Sequence, residues 1–419
     1  MKRKIGFIGL GYAGLPMAYL FSRKHEVVGF DSSSARIAEL LAGNDHTLGL
    51  TSDELREMQQ NGCIFTGDIE QLRACNFFVV TVPTPVDEEN RPDFGCLVAA
   101  SRTVGSVLGR GDIVVYESTV YPGATEEVCV PVLEASSGLR FNEDFAAGYS
   151  PERINPGDTV HTPHNTVKVI SASTPEALDA VREVYEAVVG PKCIHAASSI
   201  KVAEACKVLE NTQRDVNIAL MNEAARIFAA MNIDTAEVVE AMNTKWNALG
   251  FRPGLVGGHC ISVDPYYLIA KANALGVEPR LMSTARRINN TMGEFIARRT
   301  IEQLIRRMQR PVSQARVLLL GLTYKENCPD IRNSKVKDIY DSLARCLSDI
   351  TVLDPWADPA LAREVYDIEV ATEISADEKF DAIVVCVAHD EFHNLDLAAH
   401  LSDNGFVYGQ KGVISQSLN

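Results

Sequence analysis

The sequence predicts an α/β protein in which two doubly wound units are joined by a central helical domain, and three observations carry that prediction. Short β-rich runs alternate with helical patterns as far as residue 198. From Ser199 to Met308 long helical segments replace the alternation, and from Arg316 the alternation returns. Strands alternating with helices imply a parallel sheet covered on both faces. A chain of 419 residues also exceeds the size at which a single core keeps growing, so more than one domain is expected.

In residues 1–198 the strands fall at Lys4 to Ile8, Glu26 to Asp31, Phe77 to Val82, Ile113 to Glu117 and Thr166 to Ile170. Each is a short apolar run rich in β-branched or aromatic residues, as a strand buried on both faces requires. Residues 199–308 read as helices, to about Met231, then Thr235 to Asn243 and Pro279 to Met308, around a Gly/Pro-rich loop from Gly250 to Pro265. Gln309 to Ser313, with Pro311, reads as a linker. In residues 309–419 three buried-type strands, Arg316 to Leu320, Asp349 to Leu353 and Asp381 to Val387, make the second α/β unit.

Composition excludes several classes of function. The formal charge of -15 repels polyanions, and no Lys/Arg-rich run interrupts it, so nucleic acid is not an expected partner. Ten cysteines without paired or metal-ligand spacing, in a chain that needs no staples, indicate a reduced cytoplasmic protein with no metal site. The start, Met1-Lys2-Arg3-Lys4 and then Ile5 to Phe21, superficially suits an export signal. Gly6, Gly9, Gly11, Gly14 and Pro16 spoil the helix that such a signal needs. No apolar run reaches the roughly 18 to 20 residues that span a bilayer, so a membrane is not expected either.

Gly9-Leu10-Gly11-Tyr12-Ala13-Gly14 follows the first strand and opens a helix. The first glycine makes a tight turn, the second lets the backbone approach a pyrophosphate, and the third packs helix on strand. Free N–H groups at the positive helix end complete an anion site. The second strand ends in Asp31, about 20 residues on, where a carboxylate binds a ribose 2′-hydroxyl and repels a 2′-phosphate. The unit therefore reads as a Rossmann-like NAD site made by Gly9, Gly11, Tyr12, Ala13, Gly14 and Asp31. A ligand-free tight turn, or a flavin in place of NAD, is the alternative. Arg36, just beyond Asp31, covers the adenine or is an ordinary surface arginine. Thr84 lies after the third strand, at the sheet end where such folds place ligands.

Phe251 to Pro265 contains Gly257-Gly258-His259-Cys260 and, four positions after the cysteine, Asp264. Two glycines permit close approach of a substrate to the backbone, and a cysteine near a helix start is placed for nucleophilic chemistry. A buried structural cysteine is the competing reading. Lys207, Asn211 and Arg214 form a polar strip at i, i+4 and i+7 on an otherwise apolar helix. That strip is either a solvated face or, beside a nucleophile, a source of oxyanion stabilisation. Ser150-Pro151-Glu152-Arg153 is a loop whose carboxylate suits activation of water. Tyr324-Lys325, after the first strand of the second unit, with Arg332 beyond, suits a phosphate or pyrophosphate.

Taken in order, Gly9 to Pro16, Val82-Pro83-Thr84-Pro85, Glu117-Ser118-Thr119-Val120, Ser150 to Arg153, Lys207 with Asn211, Gly257 to Cys260 and Tyr324-Lys325 resemble the UDP-glucose/GDP-mannose dehydrogenase family. The likeness runs from about Ile5 to Gly412. It implies that Cys260 is the nucleophile, that Lys207 stabilises an oxyanion or shuttles a proton, and that Asp264, Thr119 and Glu152 position water. It implies NAD contacts for Asp31, Arg36, Thr84, Thr119 and Arg332. Arg153, Ile154, Lys207, Asn211, Arg214, Arg252, Gly257, Tyr324, Lys325 and Lys411 would hold the nucleotide sugar. The helical middle would form a homodimer, with a residue of the Lys245 to Arg252 loop reaching the neighbouring chain's site.

The likeness is closest to members acting on UDP-N-acetylhexosamines, because Gly-Gly-His-Cys-Ile precedes Val-Asp-Pro-Tyr-Tyr. Glucose-type members carry an acid where Pro156 stands and a lysine where Val263 stands. The resemblance thus implies NAD-dependent oxidation of the C6 alcohol of UDP-N-acetylglucosamine to a uronate for surface polysaccharide. UDP-N-acetylgalactosamine, UDP-N-acetylmannosamine and UDP-glucose are the other substrates it allows. Two rivals remain: a single-step hydroxyacid-type dehydrogenase, which needs neither Cys260 nor a second α/β unit, and a catalytically silent NAD- or sugar-nucleotide-binding protein.

Overall fold

The computed structural model describes residues 3–153 and 165–409. The chain begins with β1 (Lys4–Ile8), α1 (Gly14–Ser22), β2 (Glu26–Phe30), α2 (Ser34–Leu41), α3 (Ser52–Gln60) and β3 (Ile64–Thr66). It continues with β4 (Phe77–Val80), α4 (Gly95–Gly105), β5 (Ile113–Tyr116), α5 (Val130–Ser137), β6 (Ala146–Tyr149), β7 (Lys168–Ala172), α6 (Pro175–Val189) and β8 (Ile194–Ala196). These eight strands make one sheet in the order β3-β2-β1-β4-β5-β6-β7-β8. The strand order reverses between β1 and β4, so the crevice where such sheets bind ligands opens at their carboxyl ends. The turn Gly9 to Gly14 and Thr81 to Pro85 both start there.

Residue alternation places the core on both faces of this sheet. Phe77 and Val79 join Leu15, Phe21, Val181 and Tyr185 of α1 and α6 on one face. Phe78 and Val80 join Leu97, Val104 and Leu133 of α4 and α5 on the other. The sheet departs from the expected parallel arrangement at one place, where β7 runs antiparallel to β6. The two strands approach closely at Gly148, where a Cβ would lie 2.6 Å from the Ser171 carbonyl oxygen. β3, β6 and β8, of three or four residues each, escape the sequence reading.

Helices follow: α7 (Ile200–Met231), α8 (Thr235–Asn243), α9 (Asp264–Ala274), α10 (Arg280–Asn290) and α11 (Met292–Arg307). The single helix expected from Pro279 to Met308 is in fact two, parted at Thr291, whose hydroxyl donates to the carbonyls of Arg287 and Ile288. α9, for which the sequence predicts a start near Cys260 but no range, begins at Asp264-Pro265, where proline's fixed φ and missing N–H suit a first turn. The last elements are β9 (Arg316–Leu320), α12 (Val336–Ala344), β10 (Asp349–Leu353), α13 (Pro359–Tyr366), β11 (Val370–Ala371), β12 (Phe380–Val385) and β13 (Leu401–Gly409). They form a five-stranded parallel sheet, β11-β10-β9-β12-β13.

By compactness the chain divides into two units, Met1–Glu210 with Tyr266–Val277, and Asn211–Pro265 with Glu278–Asn419. Among the described residues no helix is long and apolar enough to cross a membrane. Among the described residues, which include all ten cysteines, no disulfide forms.

One structural device occurs in both units. Gly9, at φ 95°, donates its N–H to the Phe30 carbonyl, and Gly321, at φ 88°, donates to that of Leu353. The next residue in each case, Leu10 or Leu322, donates its N–H to an aspartate that follows the second strand, Asp31 or Asp354.

The glycines of the first turn differ in what a side chain would meet. A Cβ on Gly14 would overlap Gly9 O and Thr81 Oγ1, whereas one on Gly11 would have nothing within 4 Å. Gly14→Ala is therefore expected to cost about 1–3 kcal/mol in urea denaturation, and Gly11→Ala less than about 0.5 kcal/mol. Equal losses would show that crowding against Gly9 and Thr81 does not set the choice of glycine.

Candidate active site

In the first unit the turn is shaped for an anion. Gly11 is exposed, and α1 begins with no side-chain cap and no acid in its first turn, so its orphan N–H groups are available to a pyrophosphate. Tyr12 and Ala13 are half-buried at this helix head. Thr81 Oγ1, 2.8 Å from the Gly9 carbonyl oxygen, donates to it and holds the turn against β4. Asp31 Oδ2 accepts the Leu10 N–H at 2.9 Å and Oδ1 accepts that of Ser33 at 2.9 Å. Each oxygen keeps an acceptor site for a ribose hydroxyl. Thr84 and Thr119, both half-buried, lie just past the carboxyl ends of β4 and β5. These features fit an NAD site.

Arg36 occupies a different place from either one foreseen. It is buried, donating from Nε to the Leu10 carbonyl at 2.9 Å and pairing with Asp45 at 2.7 Å and Glu39 at 3.0 Å. Neither a surface arginine nor a free cover for adenine, it braces the Gly-rich turn from behind. Two carboxylates compensate the guanidinium for its burial.

β6 delivers Ser150 to Arg153. The Ser150 hydroxyl donates to the Val169 carbonyl, and Lys207 Nζ donates to the Glu152 carbonyl at 2.7 Å. The Glu152 carboxylate lies 3.6 Å from Lys168 Nζ, which in turn is 2.8 Å from Glu117 Oε2. Tyr185 donates its hydroxyl to Glu117 Oε1 at 2.5 Å. Burial raises the Glu117 carboxyl to about 7, the Glu152 charge adding to the rise and Lys168 opposing it. None of Glu117, Lys168 and Tyr185 was foreseen as part of a site. Arg153, expected to hold substrate, is instead paired with Glu210 and donates to the Val167 carbonyl. Ile154 lies outside the described residues.

In the second unit Cys260 is exposed in the turn that leads into α9. Its carbonyl accepts the N–H groups of Val263 at 3.0 Å and Asp264 at 2.8 Å, closing the turn. Gly258, at φ 80°, lies so close to Tyr324 that a Cβ would come within 2.6 Å of the ring, and a Cβ on Gly257 would come within 2.7 Å of Asn333 O. The Asn222 side chain brackets Gly254 with bonds of 2.9 and 3.0 Å and so ties the front of the loop to α7. Asp264 is buried and accepts from Asn211 Nδ2 at 2.5 Å. Arg214 is exposed. Arg332, assigned to the cofactor by resemblance, lies in this unit, held on Asp330 at 2.6 Å and 3.4 Å from His259 Nδ1.

Tyr324 and Lys325 stand on the turn after β9, which Asp354 organises. Asp354 Oδ2 accepts N–H groups from Leu322 at 2.5 Å and Thr323 at 3.0 Å, while Oδ1 accepts those of Trp356 and Ala357. His389 Nδ1 accepts the Asn327 N–H, so Nε2 carries the proton and faces Asp354 at 3.1 Å. Burial pushes the Asp354 carboxyl up, but the His389 bond and the backbone donors outweigh it and hold the group at about 2. Its stabilising effect is therefore complete above the ordinary carboxylate range and fades only as pH falls toward 2. Beside this sheet a cavity of about 370 Å³ is lined by Arg252, Leu255, Phe295, Arg299, Val385 and Tyr408. Lys411 lies outside the described residues. Among those residues no cluster of three or more metal-ligating side chains occurs.

If Asp31 reads the ribose, Asp31→Ala should weaken NAD binding by about tenfold and narrow the preference over NADP, since one repulsive carboxylate is removed. Calorimetric titration of both dinucleotides measures this. An unchanged ratio of affinities would assign the ribose to another residue.

Comparison with known proteins agrees with both halves of this geometry. Residues 3–189 match the NAD binding domain of the UDP-glucose/GDP-mannose dehydrogenase family, residues 201–291 its central domain and residues 318–416 its UDP binding domain. A UDP-N-acetyl-D-glucosamine 6-dehydrogenase of Pseudomonas aeruginosa is 53% identical over 392 residues, covering 94% of this chain and 92% of that protein. One of Salmonella typhi is 48% identical over 414 residues, covering 98% and 96%. The structure of a UDP-D-ManNAc dehydrogenase from Pyrococcus horikoshii superposes with a TM-score of 0.89 at 31% identity, covering 99% of this chain and 96% of that one. The chain therefore belongs to the UDP-glucose/GDP-mannose dehydrogenase family and is an NAD-dependent UDP-sugar dehydrogenase.

Proposed function

We propose that this enzyme oxidises the C6 alcohol of UDP-N-acetylglucosamine to the carboxylate through a covalent intermediate on Cys260. The observation that carries the reading is the Cys260 turn: an exposed thiol heading α9, with the buried Asp264 held by Asn211 one turn on. Bound NAD would accept the hydride in each of two oxidations. The first produces an aldehyde at C6. The Cys260 thiolate adds to that carbon, forming a C–S bond, and the adduct is oxidised to a thioester.

Lys207 donates one N–H to the Glu152 carbonyl, and its ammonium would be the group that stabilises the oxyanion or shuttles a proton. Glu152, with Thr119 and Asp264, would position the water that cleaves the thioester. Tyr324 and Lys325 would take the pyrophosphate, and the cavity beside Arg252 suits a planar base.

Two supports favour the acetamido sugar. The relatives at 53% and 48% identity are dehydrogenases of UDP-N-acetyl-D-glucosamine. Val263, where the resemblance implies a lysine in glucose-type members, is apolar and buried, so that charge is missing from the turn. The product, a nucleotide-activated acidic sugar, is suited to building anionic surface polysaccharide. We further propose that it is made in the cytoplasm by a homodimer. Leu220, Ile227 and Met231 of α7 are exposed, and Trp246, at 92% exposure, stands on the loop expected to reach a second chain.

Cys260→Ala should abolish uronate formation, a loss of more than about 10⁴-fold, while NAD affinity stays at the wild-type value. In a panel of UDP-sugars the wild-type enzyme should turn over UDP-N-acetylglucosamine fastest. Acid production by the variant would overturn the nucleophile, and faster oxidation of UDP-glucose would overturn the substrate.

A further inference from the structure

Behind Glu152 lies a buried group of charges that the reaction described above does not use. Lys168 opens β7 and is 6% exposed, and Glu117 follows β5 and is 2% exposed. Taking an ammonium out of water is costly unless it is well paired, so a lysine at this place needs a partner for which the fold keeps it. Glu117 is one partner, at 2.8 Å, and it is itself fixed by the Tyr185 hydroxyl. Each Glu117 oxygen thus accepts one bond, and the Lys168 ammonium, with three donors, also faces the second carboxylate, Glu152, at 3.6 Å. Lys207 grips the main chain of the same glutamate.

We propose that Lys168, anchored by Glu117 and Tyr185, is a positioning residue for Glu152 and so sets the rate of the hydrolytic half of the reaction. This rests on the assignment of Cys260 as nucleophile and Glu152 as the group that receives a proton from water. In that step the water oxygen bonds to the thioester carbonyl carbon and one water proton passes to the Glu152 carboxylate. The C–S bond breaks, its electron pair leaves with the Cys260 sulfur, and the second proton is released as the new acid ionises. Glu152 must be anionic and aimed before the step begins. An adjacent ammonium supplies the aim, because it holds the carboxylate in place and restricts its rotamers.

Among the described residues, Glu152 is faced by Lys168 from β7, Lys207 from α7 and, across Lys168, Glu117 after β5 with Tyr185 of α6. Two carboxylates thus share one buried ammonium. Burial raises the Glu117 carboxyl above the ordinary carboxylate range, with Lys168 opposing the rise and the Glu152 charge adding to it. A cluster that served folding alone would need only the pair of Lys168 and Glu117.

The test separates chemistry from hydrolysis. Lys168→Met should leave the initial burst, two NADH per active site, at nearly the wild-type rate. Steady-state kcat should fall about 10²-fold, and KM for the UDP-sugar should fall with it because the thioester accumulates, so that kcat/KM stays near the wild-type value. Intact-mass spectrometry should then find a uronyl thioester on Cys260. Lys168→Arg, which keeps the charge, should recover most of the loss. Lys168→Met combined with Glu117→Gln removes both buried charges together and serves the same purpose should the single variant not fold. An unchanged kcat, or a burst slowed in proportion to kcat with no adduct on Cys260, overturns the positioning role while leaving the nucleophile intact. Acid formation by Cys260→Ala overturns both.

Discussion

A carboxylate placed after the second strand, gripping the backbone of the turn after the first, is the constraint on which both α/β units depend. In each unit a glycine in the left-handed region turns the chain at the carboxyl end of the first strand, and the following N–H is caught by the aspartate. The turns are alike, yet the two aspartates are left in different states. Asp31 is half-exposed and carries one backbone bond per oxygen, so it can still accept a ribose hydroxyl. Asp354 is fully buried beneath four backbone N–H groups and His389, which leaves no room for a ligand hydroxyl. The same architecture therefore provides a dinucleotide site in one unit and a rigid mount for Tyr324 and Lys325 in the other.

The cysteine turn depends on close packing of a different kind. Gly257 and Gly258 lie against Asn333 and Tyr324 at distances that no side chain would survive, and Asn333 Nδ2 donates to the Gly258 carbonyl at 3.2 Å. The residues expected to hold the pyrophosphate and the residue expected to form the covalent bond are thus fastened to one another within a single unit. Rigid mutual placement is what converts substrate binding into a near-attack geometry. Asn222, bridging Gly254 and Asn289, extends the same fixation back to α7 and α10.

Much of this was legible in the sequence, and what was not has physical causes. β1, β9 and β10 fall on the residues expected, because long apolar runs bounded by turn residues leave little choice. β6 went unseen because Ala146-Ala147-Gly148-Tyr149 has no β-branched residue, its strand character coming from neighbours and not from propensity. Asp264, Asn211 and Cys260 are named from the sequence and lie in one unit, whereas the pairing of Arg153 with Glu210 and of Arg36 with Asp45 appears only in the fold. A lone sequence does not say which carboxylate will meet an arginine. Lys168 and Glu117 are 51 positions apart and each looks like an ordinary charge at a strand end, so only the folded sheet reveals them as a pair.

The claim that organises the whole account is that a thiol on a glycine-braced turn lets one enzyme remove four electrons without releasing the aldehyde. Counting NADH against sugar consumed tests it most directly. With limiting UDP-N-acetylglucosamine and excess NAD, the account predicts two NADH and one uronate per sugar, with no free aldehyde captured by a hydrazide probe. One NADH per sugar with aldehyde accumulating in the probe would contradict it.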